Sequence, residues 1–208
     1  VVVATITHYP SEPRDALLVK VDKVLGPPDT LATEQMKILL ERNINPEFSE
    51  AVLAEGSADV CGMTRALICD PEMPAKAEAG RTDDIRACIA CNQACIGHFH
   101  RGLPISCIQH PETGRELVYG AMVPAKVRRR VMVVGGGPGG MKAAVTAAAR
   151  GHEVTLYEAA NQLGGQALLA QLLPRRAEFG GIVTNLSREL ELAQVRVVRG
   201  VRVTAEMI

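Results

Sequence analysis

The stretch Val131-Met132-Val133-Val134-Gly135-Gly136-Gly137-Pro138-Gly139-Gly140 constrains the fold more than any other part of this chain. An apolar run leads into Gly135-x-Gly137-x-x-Gly140, and Ala143, Ala144 and Ala147 follow at helical spacing. A strand, a tight turn and a helix in that order open a Rossmann-like α/β unit. Gly135 permits the turn, Gly137 lets backbone approach a pyrophosphate, and Gly140 lets helix and strand pack closely. The helix N-terminus favours the negative phosphates. A second strand is expected over Glu153–Glu158, ending on an acid 18 residues after Gly140 (158 minus 140). A carboxylate there accepts hydrogen bonds from ribose hydroxyls and repels a 2′-phosphate. Leu163-Gly164-Gly165-Gln166 follows closely. A bare Gly-Gly is an ordinary turn, but after a ribose-binding acid it brings Gly165 and Gln166 to the same nucleotide. The plain alternative is a glycine-rich loop with no ligand.

Upstream, Cys88, Cys91, Cys95 and Cys107 form a C-x2-C-x3-C-x11-C pattern. Three thiolates come from one tight loop and the fourth returns from a later turn. That arrangement suits a cubane, whose irons are gripped by four thiolates from different directions. The rivals are a structural zinc, a redox C-x-x-C pair and unliganded thiols. Zinc usually takes two separated C-x2-C pairs or cysteines with histidines at set spacing. A thioredoxin-type pair needs neither Cys95 nor Cys107. His98 and His100 fall inside the loop and read as surface or supporting residues. Cys61 and Cys69 sit in apolar surroundings, and removal of Cys69 is expected to leave the site intact. Crowded thiols of this kind fit a reducing, cytoplasmic compartment better than a disulfide framework.

Composition adds exclusions. The 23 basic and 23 acidic residues balance, which gives no support for nucleic-acid binding. No apolar run reaches the roughly 20 residues of a membrane helix, and no signal peptide is evident. The chain starts Val1-Val2-Val3, without Met, so the natural N-terminus is expected to lie upstream. A hydrophobic fraction of 47% supports a buried core.

Along the chain, Val1–Thr7 reads as a strand, His8-Tyr9-Pro10 as a turn and Gly26–Asp29 as a loop; Thr30–Arg42 is a helix, or a loop running into a strand at Met36–Leu40. A helix from Pro46 to Glu55 stops at Gly56, a short strand covers Asp59–Met63, and another helix runs from Asp70 to Gly80. Thr82–Val123 shows little periodicity. Then come a strand at Arg129–Val134, a helix at Gly139–Arg150, the strand Glu153–Glu158, a helix over Pro174–Ala193 and a strand at Val195–Val198. Gly62-Met63-Thr64-Arg65, ending the expected short strand, is either a turn with a surface arginine or a phosphate grip at the mouth of a β/α barrel.

Taken together, A-D-V-C-G-M-T-R-A-L-I-C-D-P, A-G-R-T-D-D-I-R-A-C-I-A-C-N-Q-A-C, S-C-I-Q-H-P and V-V-G-G-G-P-G-G resemble the iron–sulfur flavoprotein branch of the old yellow enzyme (NADH:flavin oxidoreductase) superfamily. The likeness runs from about Asn45 to the C-terminus. It implies an oxidoreductase of three parts: an FMN-binding β/α barrel, a 4Fe–4S linker and an FAD- or ADP-binding domain. Mapped here, residues 1–81 are the last part of the barrel, 82–125 the linker and 126–208 a truncated nucleotide domain. Met63, Thr64 and Arg65 would hold the FMN phosphate. Cys88, Cys91, Cys95 and Cys107 would hold the cluster, and Gly135, Gly137, Gly140, Glu158, Gly165 and Gln166 the FAD or ADP. A small-molecule substrate (an enone or an N-methyl amine) and NAD(P)H would be partners of the whole protein. The catalytic residues would lie upstream. Departures are Glu41-Arg42, where relatives carry Gly before Arg, and His110, where they often carry Asn. The expectation is a fragment, inactive and marginally stable alone. A stand-alone iron–sulfur and nucleotide electron-transfer module, and a zinc-stabilised nucleotide-binding protein, stay open as alternatives.

Overall fold

The computed structural model describes residues 2–8, 18–24, 46–174 and 176–207, with side chains from Ser49 onward. The chain divides into two units, Val1–Arg42 and Asn43–Ile208. In the first unit, β1 (Val2–His8) pairs antiparallel with β2 (Leu18–Val24), Val2 opposite Val24 and Ile6 opposite Val19. The first strand was expected within a residue at each end. The second was not, although its alternation of Val19 and Val21 with Lys20 and Asp22 is a strand signal. The expectations at Tyr9-Pro10, Gly26–Asp29 and Thr30–Arg42 fall outside the described residues.

The second unit opens with α1 (Pro46–Ala54). Proline at the first helical position sacrifices no hydrogen bond, and Gly56, at φ +66°, ends the helix. Asp59–Met63 is irregular rather than the expected strand. A strand needs a neighbour to satisfy its N–H and C=O groups, and no strand among the described residues lies beside this one. The segment rests on α1 instead: the Ser49 hydroxyl donates to Met63 Sδ at 3.4 Å, and the Cys61 thiol to the Ser49 carbonyl at 3.8 Å. Two short helices follow, α2 (Thr64–Cys69) and α3 (Met73–Glu78), and only α3 was expected. The stretch from Thr82 to Val123 holds α4 (Ile96–Phe99) and α5 (Glu116–Tyr119) among turns.

A three-stranded parallel sheet then forms in the order β3 (Arg130–Val134), β4 (Glu153–Glu158), β5 (Arg196–Arg199). Val131 pairs with Val154, and Leu156 with Val197. The crossovers are α6 (Pro138–Ala149) and α8 (Gly181–Leu192), with the short α7 (Ala167–Ala170) between β4 and α8. Met141 and Ala144 of α6, Val154 and Leu156 of β4, and Leu186 and Leu190 of α8 form one buried core with Leu163. Val154 and Leu156 are two apart on a strand and so share a face. On the opposite face of β3, Val134 is 58% exposed. Helix α8 starts seven residues later than expected (174 to 181). A 3₁₀ turn over Ala177–Gly180 precedes it, and Gly180-Gly181 sets the junction because paired glycines are poor helix formers. No helix among the described residues is long and apolar enough to cross a membrane.

Candidate nucleotide and cysteine sites

The glycine turn between β3 and α6 is closed by a hydrogen bond from Gly135 N–H to the Tyr157 carbonyl at 2.8 Å. Gly135 has φ +102°, a backbone conformation that side chains oppose. A Cβ on Gly140 would collide with the Gly135 carbonyl oxygen, so the helix can approach the turn only with glycine there. Gly137 caps α6 with no side-chain bond, and a Cβ on it would meet nothing within 4 Å. The first turn of the helix is thus open to an anion.

Leu163-Gly164-Gly165-Gln166 comes back against this turn. Gly164 N–H donates to the Gly136 carbonyl at 2.7 Å, and a Cβ on Gly165 would sit 3.2 Å from Gly137 Cα. Gln166 begins α7 and is exposed. Glu158 ends β4 with its carboxylate across the turn. Its Oε1 accepts the Ala160 N–H at 2.7 Å and its Oε2 the Gly136 N–H at 2.6 Å. Those amides, Ala160 first, hold the Glu158 carboxyl below the usual carboxylate range. Each oxygen keeps lone-pair capacity for a hydroxyl donor. Gly135, Gly137, Gly140, Glu158 and Gly165 therefore meet in one place, with Gln166 at its edge. The donor set suits an adenosine pyrophosphate: open backbone for phosphate and an anionic acceptor for ribose.

The cysteine loop is built by backbone. Ala90 and Asn92 are left-handed at φ 50° and 54°, which turns the chain sharply around Cys91. Gly97 N–H bonds the Asn92 carbonyl at 2.8 Å. Ser106 N–H bonds the Ala94 carbonyl at 2.8 Å and lays the arm carrying Cys107 beside the first three cysteines. All four thiols are half-buried, and all are free of disulfides. Burial pushes the Cys88 and Cys91 thiols up, and charges on the neighbouring cysteines add to this. Cys107 is pulled down to about 6, chiefly by a hydrogen bond from the Cys69 thiol, which is itself pushed up. Among the described residues no three His, Cys, Asp or Glu side chains converge tightly enough for a single metal ion. The set fits a cluster in the kind of its donors, four cysteine thiols on one loop and its returning arm. His98 fastens the loop to itself through Nδ1 and the Pro104 carbonyl at 2.8 Å, and His100 is exposed.

Met63 and Thr64 sit at the start of α2, and Arg65 leans toward the cysteines. Its guanidinium donates to Asn92 Oδ1 at 3.0 Å, and its charge favours the Cys88 thiolate.

Residues that sequence reasoning passed over hold the loop to the rest of the unit. Asp70 is 2% exposed and accepts bonds from Lys76 Nζ at 2.7 Å, Arg86 N–H at 2.8 Å and Glu72 N–H at 3.1 Å. Arg86 donates to Glu189 Oε1 at 2.6 Å and to the Cys69 carbonyl at 3.1 Å, while Lys142 Nζ bonds Glu189 Oε2 at 2.9 Å. Gln109 and Asn185 make a buried amide pair. Ile89, between two of the cysteines, is 5% exposed, and a Cβ on Gly181 would come within 3.2 Å of it. A groove of about 740 Å³ remains between this region and α6, lined by Arg86, Gln109, Lys142, Thr146, Arg150 and Glu189 among others. For Arg86 and Gln109 the sequence signal was closeness to the cysteines, in I-R-A-C and C-I-Q-H-P, a signal that Lys142, Asn185 and Glu189 lack.

Comparison with known proteins agrees with this geometry. The pyridine nucleotide-disulphide oxidoreductase family model matches residues 129–206, the sheet with its glycine turn. A NADH oxidase of Thermoanaerobacter brockii is 48% identical over 164 residues, covering 78% of this chain and 25% of the relative. An N,N-dimethylglycine/sarcosine dehydrogenase of Chromohalobacter salexigens is 42% identical over 196 residues, 91% of this chain and 26% of the relative. Among solved structures, histamine dehydrogenase from Rhizobium sp. 4-9 superposes with a TM-score of 0.72 at 35% identity, covering 77% of this chain and 24% of that one. The chain belongs to the old yellow enzyme-like flavoprotein family. It spans about a quarter of the length of the curated relatives it matches, 25% and 26% for the two above. A 2-naphthoyl-CoA reductase, at 33% identity and a TM-score of 0.73 over 77% of this chain, shows that this flavoprotein family includes reductases beside the amine dehydrogenases.

Proposed function

We propose that the chain is the iron–sulfur and nucleotide-binding part of a flavin oxidoreductase, in which electrons pass between a barrel-bound FMN and a second nucleotide through a 4Fe–4S cluster. In this reading residues 1–81 complete the barrel, 82–125 form the linker and 126–208 the nucleotide domain. Cys88, Cys91, Cys95 and Cys107 would hold the cluster, which when bound supplies one-electron transfer. Gly135, Gly137, Gly140, Glu158, Gly165 and Gln166 would hold FAD or ADP. Met63, Thr64 and Arg65 would face the FMN phosphate, with Arg65 also steadying the Asn92 turn. NAD(P)H and a small amine or unsaturated substrate would meet the whole protein elsewhere, in a reducing, cytoplasmic setting.

The observation that carries this reading is the docking of the four-cysteine loop on the nucleotide unit. Ile89, Arg86 and Gln109 fix it to α8, so cluster and nucleotide would keep a set spacing. The family of relatives, with oxidases, reductases and dehydrogenases sharing this one region, supports a common electron-transfer role over substrate recognition here.

Anaerobic reconstitution tests it. Iron and acid-labile sulfide should each reach about four per chain, with a brown chromophore. Cys107→Ala should abolish both. Stoichiometric zinc and a colourless protein would refute the cluster. Equal affinity for NAD and NADP would refute the role given to Glu158.

A further inference from the structure

Gln109 and Asn185 are buried at 7% and 9% exposure, and Gln109 Nε2, Gln109 Oε1 and Asn185 Nδ2 each have hydrogen-bond partners. Asn185 Nδ2 donates to Gln109 Oε1 at 2.8 Å and to the Ala87 carbonyl at 2.8 Å. Gln109 Nε2 donates to the same Ala87 carbonyl at 3.0 Å and to Cys69 Sγ at 3.3 Å. Ala87 immediately precedes Cys88, and Gln109 lies two residues beyond Cys107. The Gln109 side chain therefore spans the two arms that carry the first and last cysteines. Asn185, at mid-length on α8, anchors that span to the nucleotide unit.

Both lone pairs of the Ala87 carbonyl are engaged, which fixes the peptide plane leading into Cys88. The partners also set each amide's orientation. Gln109 must place its oxygen toward Asn185, because its nitrogen serves two acceptors. A buried network in which each member has partners specifies one geometry, and a half-satisfied one is costly.

We propose that Gln109 and Asn185 are positioning residues for the cluster: one amide bridge closes the Cys88 and Cys107 arms and fixes the cage to helix α8. The proposal rests on the cluster reading above. Neither residue touches the cluster; they set where its ligands stand. Arg86 and Glu189 act nearby as a part-buried ion pair with Lys142, and Arg86 also donates to the Gln109 main-chain carbonyl at 3.4 Å, a contact that leaves the amide bridge itself in place.

The test uses the full 208-residue chain, reconstituted anaerobically with ferrous iron and sulfide. Asn185→Leu keeps the volume and removes both donations. Gln109→Glu keeps the shape and the acceptor for Asn185 but removes both of its own. Asn185→Leu strands the buried Gln109 Oε1, and Gln109→Glu turns a carboxylate oxygen toward the Ala87 carbonyl and Cys69 Sγ, so bleaching by a ferrous chelator should quicken roughly tenfold or more in each. The reduced cluster should also show shifted EPR g-values. The double variant should bleach no faster than the product of the singles allows, and we expect clearly less, since the two share one acceptor. Leu190→Ala is the control: it weakens the same helix from its core side without touching the bridge. It should lower apo-protein stability and leave the EPR spectrum alone. Unchanged bleaching and EPR in both amide variants would overturn the proposal, as would the same EPR shift in Leu190→Ala. A chain that takes up no sulfide at all would overturn the cluster reading, and this inference with it.

Discussion

Asp70→Ala should loosen the approach to the cysteine loop more than any other single polar truncation near it. The carboxylate is 2% exposed and accepts three hydrogen bonds, one from an ammonium only 12% exposed. Breaking a buried ion pair by removing one partner costs about 3–5 kcal/mol, most of it from stranding the other charge. Lys76 can swing its ammonium partly into water, which argues for the low end, about 3 kcal/mol. The stranded Arg86 N–H contributes within that sum. Such a loss is on the order of a hundredfold in the local opening equilibrium. The chain has no tryptophan, so urea unfolding followed by circular dichroism, with hydrogen exchange at the Arg86 amide, is the suitable assay. Asp70→Asn should lie between, at about 1–2 kcal/mol, because its one oxygen can still serve Lys76 and Arg86. Acid should act in the same way. Burial alone would push the Asp70 carboxyl up, but the Lys76 hydrogen bond and the Arg86 N–H bring it below the usual range. A carboxyl with a lowered folded value lends stability that is complete above its unfolded value of about 3.9 and is lost as pH falls through the folded value. The mutant should therefore lose less stability than the unmutated protein as pH falls below about 4. A loss under about 0.5 kcal/mol, or an unaltered Arg86 exchange rate, would refute the reasoning.

Three further outcomes follow from the geometry. Gly140→Ala should cost about 1–3 kcal/mol by pushing α6 off the Gly135 carbonyl, read as a lowered urea midpoint; a neutral result would place the helix further from the turn than it stands. Leu156→Ala, fully buried in the sheet core, should cost about 2–5 kcal/mol by the same measurement. Glu158→Gln should weaken ADP binding several-fold in titration calorimetry by halving the carboxylate's acceptor capacity, whereas unchanged affinity would show that the ribose sits elsewhere.

The nucleotide half was legible because its signals are local. Glycines at the strand–helix turn, an acid at the end of the next strand and alternating Val154 and Leu156 are each imposed by backbone geometry a few residues wide. The spacing of the four cysteines is likewise a local pattern. What holds them is not. Asp70 with Arg86, and Gln109 with Asn185, are pairs 16 and 76 residues apart, and no periodicity links such partners. Asp59–Met63 was misread as a strand because apolar and β-favouring residues report on fit to a sheet, while pairing depends on a neighbour supplied from far along the chain. The expected helix over Pro174–Ala193 runs through Gly180 and Gly181, a pair that disfavours helix, and α8 starts only at Gly181. In the fold, Gly181 leaves room for Ile89.

One feature of α8 also bears on how this region can be recombined. Asn185 and Glu189 are one turn apart, and both face the segment that carries the cysteines, reaching Ala87, Gln109 and Arg86. A hybrid protein joined at the surface loop before β3, near Ala125, would look tidy on the sequence but would pair one parent's cysteine segment with the other's helix. Such a graft should retain its cage only if α8 travels with that segment, or if the two parents carry matching residues at these positions. The unit of exchange is therefore discontinuous: residues 70–110 together with 181–192.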